Sequence, residues 1–341
     1  MDSTSQDASP TVVLDLIEAF RRSKVMFAAV QLGVFDVLER SPRSAASLAQ
    51  ELNCNVAAMQ TLLESCVALG LLSFSDSSFS NLPAATKYLT STSPIRMTGY
   101  ITYSNNVMWQ MWAHLEDAIR TGENRWKQTF GSDGPIFSHF FRTPEAMKEF
   151  LMGMHGFGMI TSPRIVQEFD LSKYSCMCDL GGATGHWVIA ACELYPNLKG
   201  IVFDLPHALD LAREMISGSS ASDRLQVAGG DFFADNLPAA DLYALGRIVH
   251  DWSEDKIRLL LKRIYEALPS GGALMIGEKI VNEDRSGPRW ALMQSLNMLV
   301  CTEGKERSAS EYRELLTEAG FGNIEVAITD LPLDCILAVK D

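Results

Sequence analysis

The sequence has 341 residues, of which 47% are hydrophobic and 21% are charged. This length predicts about two domains, and the composition excludes a disordered or fibrous chain. Twenty-nine Lys and Arg against 42 Asp and Glu give a net charge of -13. Because so acidic a chain repels phosphate backbones, we expect no nucleic acid partner.

Cysteine usage and the amino terminus indicate the compartment. The seven cysteines are scattered without a Cys-x-x-Cys spacing, as in proteins of a reducing compartment. The first ten residues lack the basic and apolar regions of a secretion signal, and no apolar run approaches the ~18 residues that span a bilayer. We therefore expect a cytoplasmic protein with no membrane partner. No His, Cys and Asp cluster has ligand spacing, so we also expect no metal.

Residues 1–95 are predicted to form a winged-helix-like domain. Apolar residues at three- and four-residue spacing over 12–39, interrupted by Gly33, predict two helices joined by a turn. Two further helices are predicted over 44–53 and 56–72, followed by a hairpin over 74–89.

The charges of this domain favour dimerisation over DNA binding. No Lys or Arg lies between Arg43 and Lys87, so a recognition helix would present no cation to phosphate. The first helix has an apolar face, which predicts a homodimer. This face consists of Val13, Leu16, Ile17 and Phe20.

Residues 96–170 are predicted to be a helical connecting region rich in aromatic and Met side chains. Core packing is the commoner role for any one of these side chains. Their density also favours a pocket for a flat apolar ligand.

Residues 171–341 have the pattern of an α/β domain. Short apolar runs alternate with helical segments from Ser175 onwards, which is typical of a parallel sheet with crossover helices. The last twenty residues read as two strands joined by a short turn. We therefore expect a doubly wound, Rossmann-like sheet closed by an antiparallel hairpin.

Three predicted strand ends carry residues suited to an adenosine-containing cofactor. The first strand runs into the glycine-rich segment 179–185, although a purely structural turn stays open as an alternative. Asp204, at the end of the second strand, can accept hydrogen bonds from both hydroxyls of a ribose. After the third strand, Asp231 and Phe232 are placed to hold the edge and face of an adenine.

The glycine spacing favours S-adenosylmethionine over NAD. A dinucleotide site needs its second glycine where Ala183 stands. The Asp-x-Gly-x-x-x-Gly spacing found instead suits a cofactor with no pyrophosphate.

A histidine at the end of the fourth strand is the candidate general base. His250 lies where ligands of such sheets bind, although a core or helix-capping role is an equal alternative for a lone histidine. Glu278 and Glu306 can reach the same crevice, where a carboxylate would orient the ring and stabilise its charged form. Taken singly, each glutamate is more often a solvated surface charge.

Taken together, the motifs DLGG, VFDLP, GDFF, HDW and GKER resemble those of small-molecule O-methyltransferases that use S-adenosylmethionine. The closer resemblance is to the animal acetylserotonin O-methyltransferases and acetylserotonin O-methyltransferase-like proteins, through CDLGG, IVHDW, SLNMLV and TEGKERS. It covers nearly the whole chain and implies a winged-helix dimerisation domain in front of the methyltransferase domain.

The resemblance also implies roles for individual residues. His250 would be the catalytic base, flanked by Glu278 and Glu306. The residues expected to contact the cofactor are Phe141, Gly181, Asp204, Leu205, Gly230, Asp231, Phe232 and Arg247. The residues expected to line the acceptor pocket are Tyr103, Trp112, Phe150, Met154, Asn297, Met298 and Cys301.

Four positions depart from the family pattern. Ala183 replaces a usual glycine, Phe141 replaces a tyrosine, Gly158 falls where many relatives have an aromatic residue, and Cys301 replaces a polar pocket residue. These changes leave the reaction type alone and bear on the acceptor. We expect methyl transfer to a small aromatic hydroxyl, with N-acetylserotonin as the first candidate. A different phenol, a catalytically silent cofactor-binding or dimer-scaffold protein, and an NAD-dependent oxidoreductase are the alternatives.

Overall fold

The structure is a computed structural model that describes residues 9–341. The chain forms two compact units, the first ending at Asn105 and the second running from Asn106 to Asp341. Each unit has its own hydrophobic core. None of the helices in the described part of the chain is long and apolar enough to span a membrane.

The first unit is helical apart from one hairpin. Its helices are α1 (Thr11–Gln31), α2 (Val34–Arg40), α3 (Ala45–Glu51), α4 (Val56–Ala68), α5 (Pro83–Leu89) and α6 (Thr98–Tyr103). Strands β1 (Leu72–Ser75) and β2 (Ser78–Asn81) pair in antiparallel fashion.

The four helices and the hairpin predicted for this region are present. Gly33 has φ 77°, a left-handed conformation that glycine adopts without strain, and it makes the turn between α1 and α2. The predicted extent of the hairpin, 74–89, was wrong, because residues 83–89 form α5. Pro83 lies in the first turn of that helix, where a backbone N–H has no partner in the helix and is not needed.

The predicted apolar face of α1 is exposed. Val13, Leu16, Ile17 and Phe20 are 55 to 68% exposed. A helix of an isolated soluble chain rarely leaves so many large apolar side chains in contact with water.

The second unit contains ten α-helices within the described chain. They are α7 (Trp109–Trp112), α8 (Leu115–Thr121), α9 (Trp126–Phe130), α10 (Ile136–Phe140), α11 (Pro144–Ile165), α12 (His186–Leu194), α13 (Leu209–Ser217), α14 (Glu254–Ala267), α15 (Arg289–Cys301) and α16 (Ala309–Glu318). Short helical turns of this unit are Pro206–Ala208, Ser222–Arg224 and Val249–Asp251, and a further turn, Ser104–Met108, includes the boundary between the two units.

A seven-stranded sheet forms the centre of the second unit. Its strands are β3 (Cys176–Leu180), β4 (Lys199–Asp204), β5 (Leu225–Gly229), β6 (Leu242–Gly246), β7 (Ala273–Glu278), β8 (Gly322–Ala327) and β9 (Asp334–Val339). They are arranged in the order β5-β4-β3-β6-β7-β9-β8. The pairs among the first five are parallel, and β9 is antiparallel to both β7 and β8. The α/β, Rossmann-like fold and its closing hairpin are thus confirmed.

Helix α12 packs closely on the sheet because two glycines make room for Trp187. Gly246 and Gly277 are paired across β6 and β7. A Cβ on Gly246 would lie 2.6 Å from the Trp187 ring, and one on Gly277 would lie 2.9 Å from it. The ring therefore occupies the space of two missing side chains. This contact places the beginning of α12 beside the carboxyl ends of the strands.

Candidate active site

The candidate site lies where the parallel strands end. The chain order reverses between β3 and β6, and ligands of doubly wound sheets bind in the crevice at such a switch point. Asp204 and Glu278 are the last residues of β4 and β7, and the segments after β3, β5 and β6 carry Gly181, Asp231 and His250.

The turn after β3 is closely packed. Gly181 has φ 73°, and a Cβ there would lie 2.5 Å from the Ile248 side chain, so both its conformation and its surroundings require glycine. The same added Cβ would lie 3.6 Å from the Phe232 ring. The predicted glycine turn and the predicted adenine-facing ring are therefore neighbours.

Asp204 links this turn to the end of β4. Its Oδ2 accepts a hydrogen bond of 2.8 Å from the Ala183 amide, and its Oδ1 accepts one of 2.7 Å from the Leu205 amide. Burial raises the pKa of this carboxyl. Ala183 has φ 50°, a left-handed conformation that costs a non-glycine residue about 1–2 kcal/mol.

The turn after β5 contains the other predicted cofactor residues. β5 ends at Gly229, and Asp231 and Phe232 follow it in a turn. Asp231 Oδ1 accepts a hydrogen bond of 2.8 Å from the Phe233 amide. A Cβ on Gly230 would lie 2.6 Å from the Phe203 ring, so the turn packs tightly on β4.

His250 lies between two buried carboxylates. Its Nδ1 is 2.6 Å from Glu306 Oε1 and 3.0 Å from Glu278 Oε2. All three residues are at most 3% exposed. The structure therefore brings together the three residues predicted to act as base and flanking acids.

The carboxylates around His250 increase the affinity of its imidazole for a proton. Burial by itself lowers the pKa of the imidazole, but the carboxylates of Glu278 and Glu306 outweigh it and raise that pKa well above its ordinary value. Because Nδ1 faces both carboxylates, it carries a hydrogen. Nε2 is 3.7 Å from Asp251 Oδ1, beyond hydrogen-bond distance, and is the nitrogen left to exchange a proton.

Within residues 9–341, this is also the cluster whose donors lie close enough to hold a metal ion. The ligand atoms of His250, Glu278 and Glu306 lie within 4.8 Å of one another. A metal would have to displace the Nδ1 hydrogen, which both carboxylates stabilise. The absence of a metal in the working protein remains a prediction.

A close backbone contact brings Glu306 to His250. A Cβ added to Gly304 would overlap the carbonyl oxygen of His250. The segment after α15 can therefore pass against the 249–251 turn only because residue 304 has no side chain.

Helices α7 and α15 bring together two residues of the predicted acceptor pocket. Trp112 Nε1 donates a hydrogen bond of 2.8 Å to Asn297 Oδ1. This bond uses the amide oxygen and leaves the amide N–H groups of Asn297 for other partners. Met298, the next residue, is buried.

The Cys301 side chain points back to its own helix. Its Sγ donates to the Asn297 carbonyl oxygen at 2.8 Å. Burial raises the pKa of this thiol well above its ordinary value, so the group stays neutral.

An aromatic cluster surrounds the other predicted pocket residues. Phe150 on α11 lies 4.4 Å from Phe140 and 6.1 Å from Phe141, measured between ring centroids. Phe141 in turn lies 5.2 Å from His207, which follows β4. Met154 is half-buried on the next turn of α11.

Tyr103 belongs to the first unit, at the end of α6, where it is buried. Its place in the acceptor pocket stays a prediction.

Arg247, predicted to contact the cofactor, has φ 59°, the left-handed conformation that is strained for a residue with a side chain. Its guanidinium carbon lies 5.0 Å from the centroid of the Phe157 ring. Its Nε is buried and has no hydrogen-bond partner.

The sequence analysis missed Asp251 and a pair of histidines. Asp251 is buried next to His250, and burial raises its pKa to about 7. The HDW motif, which contains Asp251, was the sequence feature that could have indicated this residue. His155 and His186 lie beside the glycine turn, and no sequence pattern indicated them.

Comparison with known proteins agrees with this geometry. The family model of the O-methyltransferase domain matches residues 112–322, and that of the O-methyltransferase dimerisation domain matches residues 14–91. The chain belongs to the O-methyltransferase family. The methyl donor of this O-methyltransferase family is S-adenosylmethionine, and residues 14–91 are its dimerisation domain.

Individual relatives cover the whole chain. This O-methyltransferase is 38% identical to acetylserotonin O-methyltransferase of Gallus gallus, over 100% of both chains. It is 35% identical to human N-acetylserotonin methyltransferase, whose crystal structure in complex with SAM matches with a TM-score of 0.94 over 99% of both chains.

A further relative is a longer protein. The chain is 39% identical to the human probable bifunctional dTTP/UTP pyrophosphatase/methyltransferase protein, over 97% of the chain and 54% of that protein. The chain thus spans about half the length of this relative.

Replacing Gly304 by Ala tests the approach of Glu306 to His250. The added Cβ has to push the 302–306 segment away from the His250 backbone, so we expect methyl transfer to fall at least about tenfold, as in other displacements of catalytic groups. The measurement is kcat at saturating substrates. Gly218→Ala is the control, because its Cβ would make an ordinary 3.6 Å contact. Equal activity of both variants would contradict the assignment.

Proposed function

We propose that this enzyme transfers the methyl group of S-adenosylmethionine to the hydroxyl of a small aromatic acceptor, and that N-acetylserotonin is the first candidate acceptor. The observation that carries the proposal is the imidazole of His250 between two buried carboxylates, at the edge of the sheet where the cofactor residues also lie.

The residues at the strand ends fit S-adenosylmethionine. Gly181 and Gly230 let the turns after β3 and β5 pack closely on Ile248 and Phe203, so that both turns lie at the edge of the crevice. Asp204 suits the ribose hydroxyls, and Asp231 with Phe232 suits the adenine. The buried Arg247 Nε lacks a partner, which fits a negatively charged group of the ligand. When bound, the cofactor supplies a methyl group activated by a sulfonium.

His250 is the proposed general base. Its Nε2 accepts the proton of the acceptor hydroxyl, while Nδ1–H stays bonded to Glu306, with the Glu278 carboxylate 3.0 Å from the same nitrogen. The carboxylates fix the orientation of the ring and stabilise the imidazolium that forms. General-base assistance of this kind typically contributes about 10²–10⁴-fold.

The proposed acceptor pocket combines apolar walls with one oriented amide. Phe150, Met154 and Met298 offer surfaces for a flat ring, and the Asn297 amide N–H groups can donate to an oxygen of the acceptor. Cys301 adds no hydrogen-bond donor, because its thiol bonds to the Asn297 carbonyl. The acceptor named for the relatives, acetylserotonin, is an aromatic hydroxyl compound of this class.

Methyl transfer is tested by incubating the protein with S-adenosylmethionine and N-acetylserotonin and detecting the methylated product by mass spectrometry. We expect product from the parent protein, and a loss of about 10²-fold or more in His250→Ala with cofactor binding retained. His139→Ala is the matched control, because this buried histidine bonds to Ser132 rather than to a carboxylate.

The outcomes separate the alternatives. Full activity of His250→Ala would contradict the role of the base. Cofactor binding without product would direct the search to other phenols, and if none is methylated it would favour a silent scaffold. Turnover accompanied by a change in absorbance at 340 nm would favour an NAD-dependent oxidoreductase.

The pH dependence of kcat/KM tests the carboxylates. Glu306 raises the pKa of His250, so replacing it with Gln should lower that pKa and move the acid limb of the profile to lower pH. Glu303→Gln, an exposed substitution in the same segment, should leave the limb in place. A shift of the Glu306→Gln limb to higher pH would contradict the assigned electrostatics.

We also propose that the enzyme is a homodimer that uses the apolar face of α1. Light scattering should give twice the chain mass of 37.6 kDa. Leu16→Glu combined with Phe20→Glu should shift the mass toward the monomer, since each places a charge in the proposed interface. Gln31→Glu adds a charge elsewhere on α1 and should leave the dimer intact. A monomeric parent protein at micromolar concentration would refute the proposal.

A further inference from the structure

Two histidines join the glycine turn to helix α11. His155 Nδ1 lies 2.9 Å from Thr184 Oγ1, and His186 Nδ1 lies 2.8 Å from Ser162 Oγ. The two rings are 6.5 Å apart and nearly perpendicular. Thr184 belongs to the turn after β3, and His186 is the first residue of α12. Both bonds therefore fasten the cofactor turn to the same helix.

Gly158 creates the space for the His186 ring. A Cβ added to this buried glycine would overlap the imidazole. The chain thus lacks a side chain at residue 158 of α11, and the ring of His186 from α12 occupies that space. The ring carries a polar nitrogen on each side.

The hydrogen-bond partners define the state of His186. The Ser162 hydroxyl has no other acceptor among the described residues, so it donates to His186 Nδ1. Burial, with smaller effects from His155 and Arg247, lowers the pKa of His186 to about 3, and the ring is neutral at physiological pH. A neutral ring that accepts at Nδ1 carries its hydrogen on Nε2.

This Nε2–H group is available to a ligand. It has no hydrogen-bond partner within the described chain, and the His186 side chain is half-buried rather than fully enclosed. Arg247 lies close by, since its guanidinium contacts Phe157, the neighbour of Gly158. The amino terminus of α12 adds a partial positive charge.

We propose that His186 is a cofactor-binding residue whose Nε2–H donates to the amino-acid carboxylate of S-adenosylmethionine, and that His155 is a positioning residue that holds the glycine turn against α11. This inference rests on the proposed methyltransferase function. The polar groups are complementary to the cofactor: the His186 N–H, the Arg247 guanidinium and the α12 amino terminus favour an anion, whereas Asp204 and Asp231 suit the hydroxyls and amine of the adenosine.

Two ligands that differ in the amino-acid group test the His186 contact by calorimetry. S-Adenosylhomocysteine has the carboxylate, and 5′-methylthioadenosine lacks it. His186→Phe keeps a ring of similar size and removes the N–H group. We expect it to weaken S-adenosylhomocysteine about tenfold, the effect of losing one hydrogen bond to a charged group, and to leave 5′-methylthioadenosine unchanged. No loss for either ligand, or an equal loss for both, would overturn the contact.

The support of the ring is tested by Ser162→Ala and Thr184→Val, each of which removes one histidine bond. Each should weaken S-adenosylhomocysteine several-fold, as expected for one neutral hydrogen bond. Ser132→Ala is the matched control, because it removes a serine–histidine bond at His139. If both variants bind as tightly as the control, the positioning role is wrong.

Gly158→Ala tests whether the ring position matters. In the parent it should displace His186 and weaken binding, whereas in the His186→Ala background it should have no further effect, because the overlap is gone. Additive effects would contradict the proposed packing.

A parent protein that binds no S-adenosylhomocysteine and transfers no methyl group would refute the proposed function itself. A parent protein that does both, with unaltered His186 variants, would refute only this inference.

Discussion

The candidate site depends on one electrostatic constraint, the burial of two carboxylates side by side. Glu278 and Glu306 are almost completely buried, and two carboxylates so close together in a low-dielectric interior need a donor or a positive charge between them. The Nδ1–H of His250 lies between them, and the raised pKa of the imidazole is the other side of the same interaction. The constraint links three segments that are distant in sequence: the end of β7, the 249–251 turn and the chain after α15. Gly304 allows the last of these to approach. The same interaction therefore stabilises the segments and would orient the proposed base, with Nδ1 bonded to Glu306 and Nε2 left for the acceptor.

The sequence could predict the site residues that lie at strand ends. Parallel strands place their carboxyl ends on one edge of the sheet, regardless of the identity of their side chains. Asp204, Asp231, His250 and Glu278 follow from that rule, whereas Glu306, which follows α15, was a candidate for the same crevice that the resemblance supported. Hydrogen bonds between helices could not be predicted. The bond from Trp112 to Asn297 and the two histidine bonds that involve α11 depend on helix rotation and on the space that a missing side chain leaves, as at Gly158.

The helix at 83–89 was missed because its apolar residues follow a hairpin without a break in pattern.

The positions that depart from the family pattern have different physical consequences. Ala183 has the left-handed conformation that suits a glycine, which strains its backbone, while its amide still bonds to Asp204.

Cys301 directs its thiol to its own helix and therefore acts as an apolar residue. Phe141 retains ring contacts with Phe150 and His207 although it has no hydroxyl. Of these three positions, only Cys301 changes the polar groups of the proposed acceptor pocket. Its thiol bonds within the helix, so the side-chain amide of Asn297 is the nearby polar group that α15 would offer to an acceptor.

Helix α11 connects the two halves of the proposed site. Phe150 and Met154 lie on its amino-terminal half, and His155 and Ser162 on the same helix bond to the cofactor turn and to the start of α12. Because these residues share one helix, a substitution that displaces α11 would disturb both the proposed acceptor wall and the two hydrogen bonds that hold the glycine turn and the start of α12. The proposed cofactor contacts and the proposed acceptor contacts therefore depend on the placement of the same element.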